Sequence, residues 1–185
     1  MSSDESPRVP APPPLVLLSS SEAMTREAGA AWSAAWAATA KPNAISVLTL
    51  AGPLGAGKTQ VAKGIVAGLG GEPDEVTSPT FTLLDIHATP AAEVHHFDFY
   101  RLGGAEDAVD VGLEASLTAP AAGQPRRIVL MEWASRVAEW LPPATHVREV
   151  YLEHVGETQR RLTWHGLTAP ERAALRHVAG DPPPC

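Results

Sequence analysis

The chain has 185 residues, the usual size of one domain, with 44% hydrophobic residues and a formal charge of -7. Its single cysteine, Cys185, stands at the last position, which excludes an intramolecular disulfide and a cysteine-built zinc cluster. Basic residues are scattered, with Arg126–Arg127 and Arg160–Arg161 no more than pairs, so tight binding of a nucleic acid by this chain alone is not expected.

Residues 1–14 predict a disordered Pro-rich leader, because proline, serine and charge bury too little apolar surface. An acidic start and the shortness of Leu15–Leu18 fit neither a secretory signal nor a membrane span, and the cytoplasm is the expected compartment. Leu15–Leu18 reads as a short edge strand. Ser19–Ser21 before Glu22 reads as a helix cap, and the Ala-rich run to Ala40 as a helix whose Trp32 and Trp36 share one face. Ile45–Ala51 is a buried strand by its apolar, β-favouring content, Gly52–Gly57 a tight loop, and Lys58–Leu69 a helix closed by Gly70–Gly71.

Further strands are expected at Val76–Leu84 and Val94–Phe99, with a turn near Thr89–Pro90. A helix is expected at Ala105–Leu117, a strand at Arg127–Met131 and a turn at Leu141–Pro143. A hairpin of Val147–His154 and Arg161–His165 follows, then a helix over Pro170–Val178 and a tail at Asp181–Cys185. The order of elements predicts an α/β fold: a P-loop NTPase-like three-layer domain over residues 15–168, with a central mixed β-sheet flanked by helices. Residues 169–185 form the short helix and tail.

The string Gly52-Pro53-Leu54-Gly55-Ala56-Gly57-Lys58-Thr59 satisfies G-x-x-x-x-G-K-[ST] between a strand and a helix. Glycines let successive N–H groups point inward, and the helix adds its positive end. Lys58 brings an ammonium to the β- and γ-phosphates, and Thr59 a hydroxyl for Mg²⁺. Such a site needs a nearby carboxylate at the end of an apolar strand; Glu132 and Asp98 both qualify, as metal ligand or as the group that orients water. His95 and His96 are adjacent on a strand, point to opposite faces and cannot jointly chelate a metal; one packed and one exposed histidine is the expectation.

Four strings stand in order: Gly52–Thr59, Thr77-Ser78-Pro79-Thr80-Phe81-Thr82-Leu83, His96-Phe97-Asp98-Phe99-Tyr100-Arg101-Leu102 and Met131-Glu132-Trp133. Together they resemble the TsaE (YjeE) family over about residues 15–165. The resemblance implies an ATPase that works with the TsaD–TsaB pair. That machinery places threonylcarbamoyl on the adenosine 3′ of the anticodon in tRNAs reading ANN codons, and tRNA is met only through the complex. Carried over by position, the loop residues Gly52, Leu54, Gly55, Ala56, Gly57 and Lys58 hold phosphate. Thr59 and Glu132 bind Mg²⁺, and Asp98 is a second catalytic carboxylate near the metal. Ser78 and Thr80 belong to a switch that senses the γ-phosphate, and Trp133 lies beside the nucleotide. Gln60 stands where many members have a second threonine. The adenine side is expected around Ser21–Thr25 and at Arg160 or Arg161, of which Arg161 is taken as the contact. A small-molecule kinase and a non-catalytic nucleotide-gated module are the competing readings of the same loop; no arginine-rich lid supports the kinase.

Overall fold

Residues 12–102, 110–143 and 147–180 are described by a computed structural model. Its strands are Leu15–Ser19 (β1), Ile45–Ala51 (β2), Leu84–Ala88 (β3), Glu93–Asp98 (β4), Arg127–Glu132 (β5), Val147–His154 (β6) and Arg160–His165 (β7). They form one mixed sheet in the order β1-β7-β6-β2-β5-β4-β3. The centre, β6-β2-β5-β4, is parallel, and both margins are closed by antiparallel pairs. The runs Val47–Leu50 and Ile128–Met131 are unbroken in hydrophobic or small residues because layers cover both of their faces. At the β6–β7 margin the pattern alternates instead: Val150, Leu152, Leu162 and Trp164 are buried, while Tyr151 and Arg161 face outward.

One face of the sheet carries helices Glu22–Thr39 (α1), Lys58–Gly68 (α2) and Ala169–Ala179 (α4), with Trp32, Leu48, Ile65, Leu130 and Trp164 in the shared core. Trp32 stacks on Trp164 with ring centroids 6.2 Å apart. The other face is covered by the short helix Leu113–Leu117 (α3) and the 3₁₀ segment Ala134–Trp140, over Val47, Phe97, Phe99, Val129 and Met131. Ser21 caps α1 by accepting the N–H of Met24 at 3.1 Å. A reciprocal capping box of Thr168 and Glu171 starts α4. The α1–α2 crossing is very close: a Cβ on Gly64 would lie 1.9 Å from the carbonyl oxygen of Arg26. That approach holds the N-terminus of α1 beside the start of α2.

The expected elements recur with two displacements. Val76–Leu84 is not a strand; Pro73–Glu75 is a 3₁₀ turn, and residues 76–83 form an irregular arm before β3. Pro79 has no N–H for a ladder, and its carbonyl accepts the N–H of Leu83 at 2.7 Å, which turns the chain. Leu83 itself has φ 64. Of the helix expected over Ala105–Leu117, the described residues show α3 at Leu113–Leu117, preceded by Gly112 at φ 78; residues 103–109 lie outside the described residues. So do residues 1–11 of the leader and the tail 181–185. Among the described residues no helix is long and apolar enough to cross a membrane.

Candidate functional site

The loop Gly52–Gly57 carries the chain from the C-terminal end of β2 into α2. Gly52 has φ 138, and a Cβ there would lie 2.2 Å from the carbonyl oxygen of Leu152, so no other residue fits. Gly57 caps α2 at φ 104 without a side-chain bond. The N–H groups of Lys58 and Thr59 consequently have no acceptor among the described residues. Free amides at a helix N-terminus favour an anion. Lys58 is 6% exposed, and its Nζ donates to the carbonyl oxygens of Gly52 at 3.1 Å and Pro53 at 3.2 Å.

The carboxylates arrive from two adjacent parallel strands. The β4–β5 register sets Asp98 beside Glu132 at the strand ends that face the loop. Both are 3% exposed. Glu132 accepts from His96 Nε2 at 3.1 Å and lies 3.8 Å from Lys58 Nζ through its other oxygen. Asp98 accepts three hydrogen bonds: Ser78 Oγ at 3.0 Å, Thr80 Oγ1 at 2.7 Å and the Tyr100 N–H at 2.9 Å. The first two donors come from the irregular arm, which is why that segment leaves the sheet. Trp133 takes a left-handed conformation, φ 58, directly after Glu132. Its ring packs on Tyr100 at 5.2 Å and lies 5.6 Å from Lys58 Nζ.

A cleft of about 540 Å³ gathers Leu54, Gly55, Gly57, Lys58, Thr59, Gln60, Ser78, Thr80, Asp98, Glu132 and Trp133, together with Glu22 and Tyr100. Ala56 is fully buried beneath the loop, and Gly52 lies at its root against Leu152. An adjoining hollow of about 340 Å³ shares Gly55, Gly57 and Gln60 and extends to Ser21, Thr25 and Arg160. Gln60 donates to Glu22 at 2.9 Å, tying α2 to α1 at this point.

Arg161 does not line this hollow. Strand alternation sends it to the opposite face of β7, where it pairs with Glu153, and Arg160 is the arginine that lines the hollow. The histidine pair is a correction: both rings are buried, His95 at 7% and His96 at 0% exposure. His95 bonds Ser116 Oγ at 2.8 Å on the far face of the sheet. Its pKa is lowered chiefly by burial and also by Arg127, against the opposing pull of Glu93. Sequence reasoning assigned no role in the site to Tyr100 or His96. The spacing of two between His96 and Asp98 was the available signal, since it places them on one face of β4.

No cluster of three or more His, Cys, Asp or Glu side chains suited to a metal occurs among the described residues. A hydroxyl and one or two carboxylates beside a phosphate cradle is instead an oxygen donor set suited to Mg²⁺, which keeps water and phosphate oxygens as its remaining ligands. The residues present fit both groups.

Fold and loop together define a P-loop NTPase-like α/β domain, a class whose architecture points to nucleotide binding. Residues 19–162 match the family described as threonylcarbamoyl adenosine biosynthesis protein TsaE, and the chain belongs to that family. It is 36% identical to the tRNA threonylcarbamoyladenosine biosynthesis protein TsaE of Rickettsia bellii, over 68% of this chain and 80% of that protein. With the protein of the same name from Bacillus subtilis it shares 36% identity over 69% of this chain and 73% of the relative. The crystal structure of Bacillus subtilis YdiB superposes with a TM-score of 0.58 at 27% identity, covering 90% of this chain and 95% of the other.

Proposed function

We propose that the chain is a Mg²⁺-dependent ATPase that acts in the cytoplasm with TsaD and TsaB to sustain threonylcarbamoyl transfer to the adenosine 3′ of the anticodon in tRNAs reading ANN codons. The observation that carries this reading is convergence in one cleft. An ammonium, free helix-end amides, a hydroxyl and two buried carboxylates come from α2, β4 and β5.

Lys58 and the amides of the first turn of α2 bind the β- and γ-phosphates and stabilise the charge that grows on the transferring phosphoryl group. Mg²⁺, when bound by Thr59 and Glu132, neutralises phosphate charge. Asp98, fixed in place by three donors, orients the water that accepts the phosphoryl group. The hydroxyls of Ser78 and Thr80 now bond Asp98; arrival of the γ-phosphate gives them a competing acceptor and so reorders the arm. Trp133 closes the cleft over Lys58. The hollow at Ser21, Thr25 and Arg160 receives the nucleoside end.

No arginine lines the cleft among the described residues. An arginine supplied to this transition state is worth roughly 10³–10⁵ in rate, so turnover alone is slow and the partner complex raises it. The test is phosphate release from ATP by the chain alone and with TsaD–TsaB, beside the Lys58→Ala variant. Slow native hydrolysis, stimulation by the partners and loss in the variant are expected. A rate indifferent to the partners, or a fully active variant, would refute the assignment.

A further inference from the structure

His96 stands on β4 two residues before Asp98 and is completely buried. One ring nitrogen, Nε2, meets Glu132 Oε1 at 3.1 Å. The other, Nδ1, is buried without a partner among the described residues. An apolar side chain would fill this space and leave no nitrogen unpaired, so packing alone does not account for the imidazole. What the ring does is hold one oxygen of Glu132 while the second is directed at Lys58 and the phosphate loop, 3.8 Å from Nζ. With Nε2 carrying the proton, the contact is a hydrogen bond to a carboxylate, which fixes both the torsion and the free lone pairs of that group.

We propose that His96 is a positioning residue that aims the Glu132 carboxylate at the metal subsite. This rests on the reading of Glu132 as a metal ligand. A carboxylate released from its outer partner still reaches the subsite, but it samples other rotamers, and metal affinity falls while phosphate binding by the loop persists.

The test compares His96→Gln with His96→Met in the full chain. The two replacements match in length; glutamine returns an N–H donor near the Nε2 position and methionine returns none. Mn²⁺ binding is titrated by electron paramagnetic resonance with a non-hydrolysable ATP analogue present, and the analogue's own affinity is measured separately in a chelator. The methionine variant is expected to weaken Mn²⁺ binding by roughly 10–100-fold, with the glutamine variant close to native. Analogue affinity in the chelator should be unchanged in both. Should the methionine variant fail to fold, His96→Asn replaces it with the same expectation, because its amide stands at the Nδ1 position and falls short of Glu132. Equal losses in the donor-bearing and donor-free variants, or native Mn²⁺ binding in the latter, would overturn the role. Glu132→Gln separates the two levels. Native Mn²⁺ binding in Glu132→Gln overturns the metal reading of Glu132 and this inference with it. Weakened binding there beside native binding in the methionine variant overturns the inference alone.

Discussion

Replacing Gly64 by alanine sets two physical effects of opposite sign against each other. Alanine is the better helix former by roughly 1 kcal/mol, so propensity alone predicts a more stable protein. The structure predicts the reverse. The new Cβ would lie 1.9 Å from the Arg26 carbonyl oxygen, roughly 1.5 Å inside the 3.4 Å at which ordinary contact begins. The obstacle is backbone, with no side chain to swing aside, so α1 has to move away from α2. Overpacking of this kind costs about 1–3 kcal/mol, and a main-chain clash belongs at the top of that range. Net of propensity, about 2 kcal/mol is lost, which lowers Tm by roughly 4–8 °C in a domain of this size. Because Ser21, Glu22 and Thr25 ride on α1 or its cap and line the hollow beside Gly57, the same shift weakens ATP binding. Differential scanning fluorimetry and a nucleotide titration read the two consequences. A variant that melts higher than the native chain would show that the crossing is looser than described, and with it the link from helix packing to the site would fall.

Thr80→Val removes the 2.7 Å bond to Asp98 while conserving shape. A half-buried bond to a charged acceptor is worth about 1.5 kcal/mol, so nucleotide-free Tm should fall by roughly 3–6 °C, and an unchanged Tm would deny the latch between arm and carboxylate. Arg160→Ala should raise the Kd for ATP by about tenfold, the loss expected of one charge-assisted hydrogen bond, whereas Arg161→Ala should leave it unaltered; equal effects would refute the separation by strand face. His95 is depressed by burial below the unperturbed value of about 6.5, so the unfolded chain protonates first on acidification. Its contribution is complete above pH 6.5 and is lost as the pH falls from there toward the folded pKa. Melting temperatures between pH 7.5 and 5.5 should therefore fall more steeply for the native chain than for His95→Asn, and parallel slopes would contradict the assignment.

The strands other than β3, α1, α2, the hairpin and the loop were legible because each carries a strong local signal: largely apolar, β-favouring runs in β2 and β5, the Ser21 cap, and the glycine string before Lys58. The arm at residues 76–83 was not. Its β-favouring threonines and Phe81 read as strand, yet Pro79 breaks the ladder, and the hydroxyls satisfy Asp98, a partner 18 to 20 residues away that no local window contains. The choice between Arg160 and Arg161 turned on one residue of register, which flips a side chain from one face of a strand to the other. The role of His96 depends on a contact to β5 across a parallel pair, and a connection of that kind is invisible until the strand order is known.

The whole account stands on a phosphate cradle that grips a nucleoside triphosphate, and calorimetric titration of the full chain with Mg·ATP measures that grip directly. A saturable, single-site heat for the native protein and its loss in Lys58→Ala are the predicted results. Absence of any heat with the native chain, or an equal affinity in the Lys58→Ala variant, would contradict it.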